Sequence, residues 1–429
     1  MTPEGTGLKH SRVFYGWIAL GGVSLVIFVV GGSFVHSFGV LLPKITAEFD
    51  WNRGQVALAL TLGILSFGLP SPLIGVLVSK FGPRITIIAG NALAAVGLAG
   101  VYFAQEVWHL YLLYILIGLG GGLGGFIANT ALVNNWFIRR RSLALGIFQA
   151  CSGLAGIVFP PLVTTLISAM GWRSTWLVLA AIVIVFPVII GGIFIIRNKP
   201  EDMGLAPDGM QPGSEVEIDE GQISSAGIQN DRAGWGILDV LKQPVVWFIS
   251  GFVAASSFTV GTLLTHQIAY VQDLGYSAIT AASTVSIMSV FSLIGSLGFG
   301  FLAMKYKVRY LAIGAFISQI LGMTILLTTH ELGLIYVFSI LLGASYGSLT
   351  TALSVFVGAY FPREHYAEVL GVVFPFQITA NAASAAIAGV IFDATSSYTP
   401  AFIAAICFSV AGLFFAFMAR RPGEVSRMV

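Results

Sequence analysis

The side chains able to do chemistry in this 429-residue chain are arranged as stripes rather than clusters. Ser256, Thr259, Thr262 and His266 follow at spacings of 3, 3 and 4, and Ser286, Ser289, Ser292 and Ser296 repeat those spacings. Gln377, Asn381 and Ser384 form a third stripe, and Tyr346, Thr350 and Ser354 a fourth. Each falls on one face of a helix. Hydroxyls, amides and imidazoles placed this way can hydrogen-bond a solute, but they supply no nucleophile–base pair. His36, in SFVHSFGV, adds a group whose charge changes near neutral pH and which could take up a proton. Asn129 and Gln149 add two amides. A plainer account stays open for each: hydroxyls bonded to their own helix, or amides that tie helices together.

The elements that must position these groups follow from composition. The chain is 56% hydrophobic and 9% charged, with mean hydropathy +0.90. Soluble domains carry about 25% charged residues. A bilayer core about 30 Å thick needs roughly 20 apolar residues per helix. That ruler predicts an all-α membrane protein with twelve spans, near 14–42, 54–79, 85–104, 109–136, 143–169, 173–196, 245–271, 277–303, 310–328, 333–358, 367–391 and 399–419. The first apolar run lacks a small-residue cleavage site and reads as a retained helix. Cys151 and Cys407 lie in separate apolar runs and read as small hydrophobes, and no metal or cofactor is implied. A net charge of +2 argues against a nucleic-acid partner.

The one long polar break, 197–244, divides the chain into six-helix halves at 1–196 and 245–429. Its acidic, Gly/Ser-rich stretch GSEVEIDEGQISSAGIQNDR reads as a mobile linker. With both termini inside, only Lys44, Arg53 and Arg173 fall outside, against 18 of the 21 Lys and Arg on the other side. The positive-inside rule therefore places the termini and linker in the cytoplasm, in a cell (inner or plasma) membrane. Every Lys, Arg, Asp and Glu falls in a loop or a terminal turn of a span, so no buried carboxylate pair is available for a membrane enzyme.

IGLGGGLGGF at 117–126 spells G-x-G-x-x-G, but it lies inside the fourth span, far from any strand–turn–helix unit. Gly118/Gly122, Gly120/Gly124 and Gly121/Gly125 are small-xxx-small pairs, which predict a smooth face for close helix packing.

The halves are related. Gly75–Arg84, GVLVSKFGPR, aligns without gaps with Gly300–Arg309, GFLAMKYKVR, and WFIRR at 136–140 matches YFPRE at 360–364 at nearly the same offset. Two six-helix halves with this loop after spans 2 and 8 resemble the major facilitator superfamily. The resemblance implies the major facilitator fold and a cytoplasmic gate at these loops. The family's acid is replaced by Ser79 and Met304, so the gate is expected to rest on Lys80, Arg84, Lys305 and Arg309. FYGWIAL, SFGVLLP, FDWNR, WFIRRRSLALGI, GWRSTW, PEDMGLAPDG and HQIAYVQDLGYS, in that order, resemble the monocarboxylate and oxalate–formate transporter branch.

That narrower resemblance implies a proton-linked carboxylate carrier. His36 stands where the branch commonly has a lysine, and counting from Phe28 puts it about 12 Å beyond the midplane. His266 stands where the branch often has a histidine, which makes these two the proton-coupling candidates. Aligned on Gly300, Ser296 replaces the branch's carboxylate-anchoring arginine and Ser292 its aspartate. On that alignment Ser296→Arg would create an anion site. The expected substrate-binding set is His36, Asn129, Gln149, Ser292, Ser296, Tyr346, Gln377 and Asn381.

The leading reading is a monomeric secondary transporter that moves a small monocarboxylate, coupled to a proton, by alternating access. A facilitator or exporter of a neutral or mostly apolar solute fits the uncharged stripes. A sensor or scaffold conflicts with the repeated gate loops. The partners expected are a small-molecule substrate and the lipid bilayer.

Overall fold

A computed structural model describes residues 14–209 and 237–420. The acidic stretch of the linker, both chain ends and the Arg53 side chain lie outside the described residues, so the termini expectation is not addressed there. Among the described residues the secondary structure is helical throughout. Ten helices are long and apolar enough to cross a bilayer, or eleven when the pair 54–81, bent by 48°, counts as one span. The longest, Arg141–Ile195 at 55 residues, would be about 80 Å long as one rod, far beyond a bilayer core. It is two spans: Gly171 has φ 80° and ψ 162°, a conformation open to glycine, and the chain turns there. The result is the twelve spans read from the sequence.

We label them α1 (Tyr15–Phe49), α2 (Arg53–Gly68 with Ser71–Phe81), α3 (Pro83–Val101), α4 (Val107–Trp136), α5 (141–170), α6 (172–195), α7 (Pro244–Asp273), α8 (Ala278–Leu302), α9 (Val308–Thr328), α10 (Leu332–Tyr360), α11 (Tyr366–Thr395) and α12 (Thr399–Met418). In lipid each backbone N–H and C=O must be satisfied internally, so the helical state is imposed on every span. The face carrying the α2–α3, α4–α5, α8–α9 and α10–α11 loops is called the basic face below. Three spans depart from regular helix. α1 runs seven residues beyond its expected end and contains a π-turn over Gly32–His36. α2 bends near Leu69 and Pro70, and α4 breaks at Gly125, with φ −96° and ψ −126°.

The glycines of α4 divide between two neighbours. A Cβ on Gly118 would run into the Gly63 carbonyl of α2, and one on Gly122 would sit 2.6 Å from the Phe67 carbonyl. Gly120 and Gly124 instead face Gly90, Asn91 and Ala94 of α3. The smooth face read from the sequence is thus two seams, each pressing backbone against backbone. The second half has its counterpart where Gly343 and Gly347 of α10 meet the carbonyls of Met288 and Ser292 on α8.

One cation pins the first half at the end opposite the basic face. Arg173, at the start of α6, donates to the carbonyls of Tyr102 and Ala104 after α3 (2.9 and 3.0 Å) and to Glu48 at the end of α1 (3.0 Å). Its guanidinium lies over the rings of Trp172 and Phe49, at 4.7 and 5.1 Å, and Trp172 also donates to Glu48. FDWNR and GWRSTW are therefore two sides of one joint.

Adding a single methyl at a backbone seam should cost far more than adding one at a lipid-facing turn. Gly118→Ala is expected to lose about 1–3 kcal/mol of stability through overpacking. Gly21→Ala, where a Cβ meets nothing within 4 Å, should be neutral or slightly stabilising. Thermal denaturation of the two variants in one detergent checks the contrast, and equal losses would refute the seam assignment.

Candidate functional site: a pathway shut at the basic face

Two glycine junctions bring the halves together at the basic face. A Cβ on Gly75 of α2 would lie 2.5 Å from the Ala367 carbonyl of α11, and one on Gly371 of α11 would lie 2.5 Å from the Ser71 carbonyl of α2. α5 and α8 make the mirror arrangement: Gly146 lies against the Ser296 carbonyl (2.7 Å) and Gly300 against that of Ser142 (2.6 Å). Gly75 and Gly300 are 225 residues apart, as are Gly146 and Gly371, so the junctions are copies of one another. At the centre Phe374 stacks on Phe126, with centroids 5.1 Å apart, and meets Phe67 at 5.8 Å. Farther from the basic face, Leu154, Ile157 and Val158 on α5 and Val290 on α8 are exposed, as are Ser286 and Ser289.

Hydrogen bonds that bridge the halves run through two arginines absent from the expected gate. Arg141, only 6% exposed, donates from Nε to the Phe137 carbonyl ending α4 (3.2 Å) and from Nη1 to the Gly358 carbonyl near the end of α10. Helix C-termini carry partial negative charge and suit a cation. Arg363 donates to the Asn135 side chain and main chain and, through both Nη atoms, to Glu201 (2.9 and 3.3 Å). Glu201 belongs to the opening stretch of the linker, which is docked rather than mobile. The Asn198 side chain accepts from Arg84 N (2.8 Å) and Trp136 donates to the Arg197 carbonyl (2.9 Å). Asp208 accepts from the main chain of Ile138 and Arg139 (2.7 and 2.6 Å) just before α5, where the helix dipole favours an anion. Composition pointed to mobility because the acids and glycines are concentrated farther along, outside the described residues.

The expected gate cations do not cross between the halves. Arg84 donates to the carbonyls of Gly192 and Ile193, tying α3 to the end of α6. Arg309 lies over the Phe417 ring of α12 at 4.5 Å, within the second half. Lys80 and Lys305 are exposed and lie near the rings of Phe81 and Phe301. Lys80 also lines a cleft of about 430 Å³ together with Asp202, Arg363 and Glu364, but no ion pair joins it to either carboxylate among the described residues. The gate reading followed the α2–α3 loop and its copy. The missed signal was the second repeated loop, which holds Arg141 and Arg363.

His36 occupies the π-turn of α1, a distortion frequent at functional sites. Ser37 closes the turn by donating its hydroxyl to the Gly32 carbonyl (2.7 Å). Because α1 reaches Phe49, its midpoint is Gly32, and His36 sits about 6 Å past that midpoint along the helix. The imidazole is exposed and packs over Gly156 of α5, where a Cβ would lie 3.1 Å from Cε1. Pro160 has no N–H, so the Gly156 carbonyl lacks its usual helical donor. A solute proton or hydroxyl thus finds an imidazole and a carbonyl side by side.

Other expected site residues divide in two. Gln149 and Tyr346 are half-buried, and neither side chain hydrogen-bonds another described residue. Gln377 has a buried, unpartnered Oε1 among the described residues, and the Asn381 amide makes one long bond to the Ser257 carbonyl (3.5 Å). These four keep spare hydrogen-bonding capacity. Asn129 does not face a solute: wholly buried, its amide donates to the Gly124 and Gly125 carbonyls (3.0 and 2.6 Å) at the α4 break. Ser296, 2% exposed, donates to the Ser292 and Gly347 carbonyls, and the Ser292 carbonyl packs on Gly347. Ser296 belongs to the α8–α10 seam by its side chain and Ser292 by its main chain, and an arginine at 296 would break the seam rather than line a cavity. His266 bonds the Ala385 carbonyl (3.0 Å) and lies 5.2 Å from the Tyr398 ring, a tie from α7 to α11 and α12. Thr259 of the same stripe bonds Ser409 of α12 (2.9 Å). The stripes were legible; which neighbour each faced was not.

Two six-helix halves joined crosswise at glycine junctions define the class of polytopic membrane transporters. The chain belongs to the Major Facilitator Superfamily, whose family model matches residues 23–309 and 266–427. Monocarboxylate transporter 13 of Rattus norvegicus is 26% identical over 390 residues, covering 88% of this chain and 83% of its own. Monocarboxylate transporter 12 of the same species is 25% identical over 429 residues, covering 95% and 86%. Among solved structures, the proton:xylose symporter XylE bound to 6-bromo-6-deoxy-D-glucose superposes with a TM-score of 0.74 at 13% identity, covering 94% of this chain and 95% of that one. FucP in the outward conformation gives 0.72 at 14% identity, covering 95% and 100%. At such identities the solved structures speak to the fold.

The Glu201–Arg363 bridge has a pH signature. Burial raises the Glu201 carboxyl, but hydrogen bonding to Arg363 and to its own main chain, with the Arg363 and Lys199 charges, outweighs this and holds it below its usual value. Its stabilising share is full above the unfolded carboxyl value of about 4.3 and is lost as pH falls through the lower folded value. A double-mutant cycle on Glu201→Gln and Arg363→Gln should give a coupling of about 0.2–1 kcal/mol at pH 7, as for a partly exposed pair. A coupling unchanged at pH 3 would contradict the bridge.

Proposed function

We propose that this protein is a secondary transporter that moves a small organic monocarboxylate together with a proton, working by alternating access. His36 carries the reading: a titratable ring in a distorted turn near the middle of α1, exposed, and packed against α5, which joins the second half at Gly146 and Gly300. Similarity to relatives named monocarboxylate transporters supports the substrate class. Gln149, Tyr346, Gln377 and Asn381 supply neutral hydrogen bonds to the solute.

The positive-inside bias read from the sequence, 18 of 21 Lys and Arg on one side, makes the basic face cytoplasmic and the membrane the cell membrane. The conformation described is then outward-open. The halves 1–196 and 245–429 would rock about the cavity, with 197–244 as the cytoplasmic connection. Transport then requires the two glycine junctions and the arginine bridges to part while α2, α5, α8 and α11 close at the other end. A second reading, a carrier of a neutral or mostly apolar solute, is favoured by one observation: α8 offers a seam-bound serine, not a cation, at position 296.

Internal pH of proteoliposomes after lactate is added outside tests the proposal, with protein-free vesicles subtracting diffusion of the undissociated acid. Wild type should give protein-dependent acidification, and His36→Gln should lower its rate at least tenfold while leaving the protein folded. Lactate uptake with proton coupling intact in His36→Gln would remove His36 from the mechanism. No protein-dependent signal, with a neutral solute still transported, would replace the first reading by the second.

A further inference from the structure

Arg141 is a buried cation with no carboxylate to hold it. It is the single charged side chain in the buried set of the described residues. Removing a guanidinium from water costs several kcal/mol unless its donors are met, and a charge kept at this depth usually has a use. Its mapped partners are two main-chain carbonyls, from Phe137 and Gly358. Asp208 acts on it electrostatically, but the carboxylate already accepts from the main chain of Ile138, Arg139 and Arg140. Arg363, a like charge, also acts on it and is committed to Glu201 and Asn135. Tyr366 of α11 is buried within electrostatic reach.

A second group beside it is also unused. Asn134 is fully buried, and neither atom of its amide finds a partner among the described residues. Both side chains crowd the same residue of the other half: a Cβ on Gly358 would lie 3.0 Å from Asn134 Oδ1 and 3.1 Å from Arg141 Nη1. The guanidinium and the amide thus sit side by side on the first half, capped by α10. When the halves part at the basic face, Gly358 leaves with α10, and a fork of N–H donors and an amide face the opening.

We propose that Arg141 and Asn134 form a carboxylate-binding site at the basic-face mouth of the pathway, masked here by the Gly358 carbonyl and exposed in the opposite conformation. The site rests on the transport reading and deepens it. An anion arriving at this mouth replaces one carbonyl by two charge-assisted hydrogen bonds from Arg141, and Asn134 donates a third. Carboxylate recognition by arginine then belongs to one conformation, while His36 serves the other. An asymmetric carrier of this kind binds its anion with different groups at its two faces.

The test measures half-saturation by lactate from each face separately, in oriented proteoliposomes, for wild type, Arg141→Gln, Arg141→Lys and Asn134→Ala. Arg141→Gln should raise the basic-face constant at least tenfold and leave the opposite-face constant within about twofold. The preserved constant also reports an intact fold. Arg141→Lys should fall between, and Asn134→Ala, which keeps the charge, should raise the basic-face constant about threefold. If Arg141 were only a clasp, removing it would favour the conformation open at the basic face. The basic-face constant would then fall and the opposite one rise, and that sign overturns the proposal. Unchanged constants at both faces, or equal shifts at both, overturn it as well. Wild type that saturates with lactate at neither face would overturn the transport reading and this site together, whereas saturable wild type with an unmoved Arg141→Gln would overturn this site alone.

Discussion

Contact between helix backbones at glycine is the constraint on which the rest of this structure depends. Lipid offers no hydrophobic drive to press helices together, so association rests on van der Waals packing and on how closely backbones can approach. Gly75 with Gly371 and Gly146 with Gly300 bring α2 to α11 and α5 to α8 without intervening side chains. Such a junction is smooth and nearly featureless. It packs well when closed, and the large apolar side chains that parting must rehouse are concentrated at the central Phe67, Phe126 and Phe374. A joint that must open repeatedly benefits from that economy, and the seams that stay closed within each half use the same device.

The polar parts sit where these contacts leave room. Arg141, Arg363 and the docked stretch 197–209 surround the glycine junctions and add directional bonds to a surface that packing alone would let slide. Most of these bonds accept at main-chain carbonyls or caps, so they follow the helices when the helices move. His36 occupies the contrasting environment: a π-turn, a neighbouring proline pair that frees a carbonyl, and exposure to the open side. Charge at the closed mouth and a titratable ring near the middle divide the pathway into two chemically different stations.

The polar stripes show where reading a sequence stops. Ser292 and Ser296 stand on one face of α8, as their spacing dictates, yet the Ser296 hydroxyl is spent on the Gly347 carbonyl of α10. Thr259 and His266 are equally regular on α7 and are taken up by α12 and α11. Periodicity locates a face on its own helix and is silent about the partner. The gate shows the same limit. Lys80 and Arg84 stand in the most family-like loop, but Arg84 bonds the end of α6 and Lys80 lies exposed beside the Phe81 ring. Only the offset of 225 residues, carried from Gly75 and Gly300 over to Gly146 and Gly371, held the information that these loops meet crosswise.

The sequence by itself determined that this is an all-helical membrane protein of twelve spans in two related halves, because apolar length and the cost of unpaired backbone in lipid leave no other solution. It also determined that α4 packs through glycine, since no other residue lets backbones touch. Tertiary structure decided which face is shut, that Arg141 is buried and Lys80 is not, that Asn129 caps a helix break, and that His36 lies about 6 Å past the middle of α1. Those outcomes depend on which helix lies against which. Neighbours in a bundle are chosen by shape and bonding between segments hundreds of residues apart, and the local pattern of one helix does not encode them.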